Sequence, residues 1–121
     1  MPRKAGKDNK RYGFVLTSTA VSTKDPGQLV RSAIAKRKEG AQVTVFLMGD
    51  GVLLATSAKS ACGATLAKAI GAGVRVLVSK DHLDATGLPL ARLVKGAVLV
   101  ERTYKDLVTM TMEEWDRVIV C

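Results

Sequence analysis

Ser79-Lys80-Asp81-His82 is the segment of this 121-residue chain in which side chains able to do chemistry fall closest together. Ser79 closes an apolar run and opens a stretch of helical length, which leaves its hydroxyl three roles. It can cap the helix by accepting the amide N–H of Asp81 or His82, donate to a bound anion or small ligand, or act as a nucleophile with His82 as base. The spacing of three residues allows one helical turn to bring the two side chains together. Asp50, in another loop, is the carboxylate available to orient the imidazole. Capping is the ordinary use of a serine at such a point. Lys80 can attract an anion such as thiosulfate or phosphate, or simply remain solvated.

The two cysteines are the other reactive groups. Cys62 lies in Ser60-Ala61-Cys62-Gly63-Ala64 at the start of a helical stretch, where the positive helix end favours a thiolate; a free cysteine among alanines is equally a small core residue. Cys121 ends the sequence and has no activating neighbour. The thiols have no CxxC spacing, and with a single histidine, His82, no Cys/His zinc set can be assembled, so no metal and no cofactor is expected. No GxxxxGK[ST] is present and no GxGxxG follows a strand, which removes the common nucleotide signatures.

The net charge of +8 invites a nucleic-acid reading, yet Arg3, Lys4, Lys7, Lys10 and Arg11 against Asp8 place half of it in the first eleven residues. Aromatics make up only 4% of the chain, few for stacking bases, which argues against that reading. Hydrophobic residues at 47% suit one folded domain. No apolar run approaches the ~18 residues of a membrane span, and the N-terminus lacks the apolar stretch of a signal peptide. The expected compartment is the cytoplasm.

Residues 1–11 read as a flexible basic tail and 12–121 as a single domain. Val- and Leu-rich runs at 12–17, 43–48, 74–78, 97–100 and 117–120 have the continuous apolar character of strands buried on both faces. Helical stretches alternate with them. Asp25-Pro26 opens one that stops at Gly40. A second runs from Val52 to Ala69 or Ile70, broken near 56–60 and closed by Gly71 or Gly73. A third runs from Ser79 to Ala85 and ends at Gly87 and Pro89. A fourth begins at Thr103, whose spacing from Asp106 suggests a capping box, and continues to about Glu113. Alternation of this kind predicts an α/β protein with three layers, α/β/α, around a five-stranded, mainly parallel sheet. Ligands of such sheets bind beyond the carboxyl ends of the strands. That rule selects the loops at 17–23, 49–51, 79–82 and 101–103 and nominates Thr17, Ser18, Asp50, Ser79, Lys80 and His82 as ligand-binding residues.

The order of these pieces resembles the DsrE/DsrF-like family of small α/β sulfur-relay proteins. The resemblance is carried by Val76-Leu77-Val78 running into Ser79 and a short helix ending at Ala85-Thr86-Gly87, the turn Gly40-Ala41-Gln42-Val43, Phe46 and Met48, Gly49-Asp50-Gly51-Val52, and the closing Asp116-Arg117-Val118-Ile119-Val120. It implies a DsrEFH-like fold, a homo-oligomer (trimer or hexamer), related sulfur-relay subunits as partners, and a role in intracellular sulfur trafficking. The family keeps a sulfur-carrying cysteine where this chain has Ser79, and a serine holds no persulfide. The expectation is therefore a non-catalytic ligand-binding or partner subunit. The alternatives are a carrier with its thiol relocated to Cys62 or Cys121, a basic nucleic-acid-binding protein using the N-terminal arm, and a hydrolase using Ser79 and His82.

Overall fold

A computed structural model describes residues 10–17, 26–56, 61–89 and 93–120, with only the backbone of residues 26, 61 and 62. Strands β1 (Arg11–Leu16), β2 (Gln42–Leu47), β3 (Arg75–Ser79), β4 (Val98–Val100) and β5 (Arg117–Val120) form one sheet in the order β4-β3-β2-β1-β5. Every pairing is parallel. Helices α1 (Pro26–Lys38), α2 (Ala61–Ala72), α3 (Lys80–Thr86) and α4 (Thr103–Thr109) connect the strands, with a 3-10 segment at Gly49–Ala55 and a π-helical turn at Met110–Glu114. Arg11, expected in the tail, is the first residue of β1, paired with Gln42. Asp25, the expected cap of α1, lies outside the described residues. Gly73 rather than Gly71 closes α2, because Gly73 takes the left-handed conformation at φ 101°.

Strand order decides which face each helix covers. The steps from β1 to β4 all run in one direction across the sheet, and right-handed crossovers place their connections on one face. The last step returns from β4 past the whole sheet to β5, so α4 lies on the other face. Strand residues divide accordingly with a period of two. Phe14, Leu16, Val45, Leu47, Val76 and Val78 join Leu29, Val30, Leu66, Ala69 and Leu83 in the larger core. Val15, Phe46, Leu77 and Val100 join Trp115, Leu107 and Met110 in the smaller one.

The π-helical turn brings Trp115 home. Its amide donates to Met110 O at 2.8 Å, and the indole packs over Gly13, where a β-carbon would overlap the ring. The indole Nε1 is buried and has no partner among the described residues. One helix face is left outward: Tyr104, Val108 and Met112, spaced by four, are all exposed, Met112 by 79%.

Asp116 fastens β5 to β1. Its carboxylate accepts the Arg11 amide at 2.8 Å and faces the Arg11 guanidinium at 3.4 Å, while its own amide donates to Arg11 O at 2.7 Å. The backbone hydrogen bond first, then the guanidinium, hold the Asp116 carboxyl below the ordinary carboxylate range. A carboxylate whose folded pKa is depressed adds stability above the unfolded value and loses it as pH falls through the folded one. Acid titration below the ordinary aspartate range is therefore expected to increase amide exchange first at Arg11. Asp116→Asn should abolish that acid-specific step, and an unchanged step in the variant would refute the assignment.

Candidate functional site

Because all strands are parallel, their carboxyl ends share one edge, and the loops after β2 and β3 meet there. The 3-10 segment after β2 is folded tightly against the end of β1: Met48 N donates to Leu16 O at 3.1 Å, and a β-carbon on Gly51 would overlap the Leu16 carbonyl. This approach presents the Gly49 amide to α3, where it donates to His82 Nδ1 at 2.7 Å. A ring nitrogen that accepts a backbone N–H carries no proton, so the neutral imidazole bears its hydrogen on Nε2. Nε2 lies 3.4 Å from Tyr104 Oη, and the two rings meet edge to face with centroids 5.8 Å apart. Gly49, Asp50, Leu53, His82, Ala85, Thr86 and Leu88 line a cleft of about 520 Å³ beside this imidazole.

Ser79 lies beneath the cleft rather than in it. It is fully buried, at 0% exposure. Its hydroxyl caps α3 by accepting the His82 amide at 3.3 Å and shares a hydrogen bond of 2.5 Å with Thr103 Oγ1. Both contacts are internal, so in this conformation Ser79 is out of reach of a ligand, contrary to the expectation of direct contact. The Ser79–His82 nucleophile pair does not form, since the imidazole Nδ1 is engaged by Gly49 and Nε2 faces Tyr104. Asp50 lines the cleft, but the backbone amide of Gly49 does the orienting expected of its carboxylate. The Thr103–Asp106 capping box is also corrected. Arg102 is the cap residue of α4 and makes no side-chain cap bond, because Thr103 is turned inward to Ser79.

Lys80 is turned along α3. Its ammonium pairs with Asp84 at 3.0 Å, and that hydrogen bond, with the carboxylate charge, raises the Lys80 pKa. It is not among the cleft residues. Thr17 follows β1 at the same edge, with its carbonyl against the position of a Gly49 β-carbon, and also stays outside the cleft lining. Ser18, Cys121 and the side chain of Cys62 lie outside the described residues. Of the nominated residues, Asp50 and His82 are therefore the two brought together in the cleft.

No family model matches the sequence, and no curated protein aligns with it. Solved structures do match. MTH1491 from Methanobacterium thermoautotrophicum, described as a protein of unknown function, superposes with a TM-score of 0.72 at 19% identity, over 93% of this chain and 100% of that one. The ychN protein from E. coli superposes with a TM-score of 0.74 at 20% identity, over 94% of this chain and 100% of that one. At that identity the likeness establishes the three-layer α/β/α fold and nothing further.

Tyr104, Leu53 and Leu88 are site residues that the sequence reading missed. Tyr104 had a visible signal, standing one position beyond a loop already selected at the carboxyl end of β4. Leu53 and Leu88 had none, because their place in the cleft depends on how the 3-10 segment folds onto β1. Among the described residues no group of His, Cys, Asp and Glu is arranged to hold a metal ion, and no helix is long and apolar enough to cross a membrane.

Proposed function

We propose that this chain is a DsrE/DsrF-like protein of intracellular sulfur trafficking that acts as a non-catalytic, ligand-binding subunit. One observation carries the reading: the position matching the family's thiol is a buried serine, and its hydroxyl caps the helix that carries His82 into an open cleft. The Nε2–H of a tautomer fixed by the Gly49 amide is a preset donor, which a ligand would take over from its long 3.4 Å contact with Tyr104 Oη. Leu53, Ala85 and Leu88 supply apolar walls. Such a cleft suits a small acceptor-bearing molecule with an apolar part; a sulfur oxyanion such as thiosulfate would accept the Nε2–H against the charge of Asp50 in the same lining. The outward stripe of Tyr104, Val108 and Met112 supports assembly as a homo-oligomer, since an apolar face of this kind is usually covered.

Two measurements test the reading. Intact mass spectrometry after exposure to a persulfide donor should show no transferable sulfur. A gain of sulfur lost on Cys62→Ser or Cys121→Ser would replace the proposal with a carrier whose thiol has moved. Calorimetric titration with thiosulfate should show saturable binding that weakens at least tenfold in His82→Ala, because a hydrogen bond to a charged group is worth about 1.5–3 kcal/mol. Binding unchanged by that substitution, or no binding, would remove His82 from the proposed role.

A further inference from the structure

The opposite edge of the sheet holds a second, separate constellation. Arg11, Gln42 and Arg75 are the first residues of β1, β2 and β3, and the register pairs Arg11 with Gln42 and Thr44 with Arg75. Arg37 reaches the same place from the last turn of α1, passing Gly73, where a β-carbon would lie 2.7 Å from its Nε. With Thr44, Glu114 and Trp115 they enclose a cleft of about 250 Å³.

The three guanidinium groups are held in position by different partners. Arg37 Nη1 donates to Ala41 O at 3.4 Å. Arg75 donates to Thr44 Oγ1 at 3.3 Å and to Glu114 Oε1 at 3.2 Å. Arg11 faces Asp116 at 3.4 Å. Two carboxylates thus serve three arginines, and Arg37 has no carboxylate partner among the described residues. Glu114 is the one anionic group in the lining, and its charge is taken up by Arg75. Arg37 also complements the carbonyl end of α1, but that duty needs neither Arg75 nor Arg11.

We infer that this cleft binds a phosphate group. Arg11 spends its fork on Asp116 through Nε and Nη2, and Arg75 is shared between Thr44 and Glu114. Arg37 therefore offers the guanidinium without a carboxylate partner among the described residues, and the other two keep the lining net positive around it, a setting that favours a dianion with several acceptor oxygens. The volume suits a phosphate or phosphomonoester rather than a larger molecule. The phosphate can belong to a free phosphomonoester or to a nucleic-acid backbone.

Trp115 is the sole tryptophan and lines the cleft, so its fluorescence reports occupancy directly. The full chain would be titrated with inorganic phosphate and with a ten-nucleotide single-stranded RNA. A saturable change with phosphate, weakened at least tenfold in Arg37→Gln while the thiosulfate response of the His82 cleft stays at the wild-type value and the Tm falls by no more than about 5 °C for the lost helix-end charge, is the expected result. Arg37→Lys, which keeps the charge and loses the fork, should recover only part of the affinity. RNA binding at least a hundredfold tighter than phosphate, and falling steeply with salt, assigns the phosphate to a nucleic-acid backbone. RNA no tighter than phosphate assigns it to a free phosphomonoester. No saturable change with either probe, or Arg37→Gln binding like the wild type, overturns the inference whatever the outcome at the His82 cleft.

Discussion

Gly51→Ala is expected to destabilise the protein by about 3 kcal/mol, at the upper end of what an overfilled interior costs, with a fall in Tm on the order of 10 °C. The added β-carbon would overlap the Leu16 carbonyl, and backbone at the end of a central strand has no rotamer with which to yield. The 3-10 segment must then lift away from β1. That segment supplies the Gly49 amide to His82 and the Asp50 and Leu53 walls of the cleft, so thiosulfate binding should be lost along with stability. Gly71→Ala is the internal control. Gly71 is helical, exposed, and a β-carbon there meets nothing within 4 Å. The same change at that position should raise stability by about 0.5–1 kcal/mol through helix propensity. Urea unfolding of the two variants, followed by circular dichroism, checks both signs. A Gly51→Ala protein as stable as the wild type would contradict the close approach.

Ser79→Ala is expected to cost about 2–4 kcal/mol, a large effect for the loss of one oxygen. The hydroxyl serves two elements at once, capping α3 through the His82 amide and joining α4 through Thr103. Loss of a serine cap costs about 1 kcal/mol. The buried Thr103 hydroxyl would add the penalty of an orphaned polar group, about 1–3 kcal/mol. The double variant Ser79→Ala with Thr103→Val, which removes both partners, should recover part of the loss, and a double-mutant cycle by denaturant unfolding would measure the coupling. Ser79→Cys restores the thiol of the resembling family at the same place. Because the position has no exposure, that thiol should stay unreactive toward a persulfide donor under native conditions and react only when the protein unfolds. Rapid sulfur uptake by folded Ser79→Cys would show that the site opens, and would return carrier chemistry to this edge as a single-residue change.

The sequence alone determined the architecture. The runs at 12–17, 43–48, 74–78, 97–100 and 117–120 stood out within about one residue of their observed ends. The interior strands β1, β2 and β3 are buried at nearly every position, as a parallel sheet covered on both faces requires. The edge strands β4 and β5 are mostly apolar but exposed at several positions, contrary to the expectation of burial on both faces, because each has a neighbour on one side only. Proline at the start of α1 and glycine at the end of α3 mark helix limits through local backbone preferences that need no partner. The edge that holds the His82 cleft also followed, because parallel strands put all their carboxyl ends together. What the side chains do at that edge was decided only by the tertiary structure. His82 takes its orientation from an amide 33 residues away, Thr103 gives up its expected capping role to a hydroxyl 24 residues away, and Arg11, Arg37 and Arg75 meet because strand register and one bare glycine align them. Local pattern records which residues must be buried or must turn the chain. It does not record strand order, register or the direction a polar group faces, and hydrogen bonds between distant residues are settled by those three.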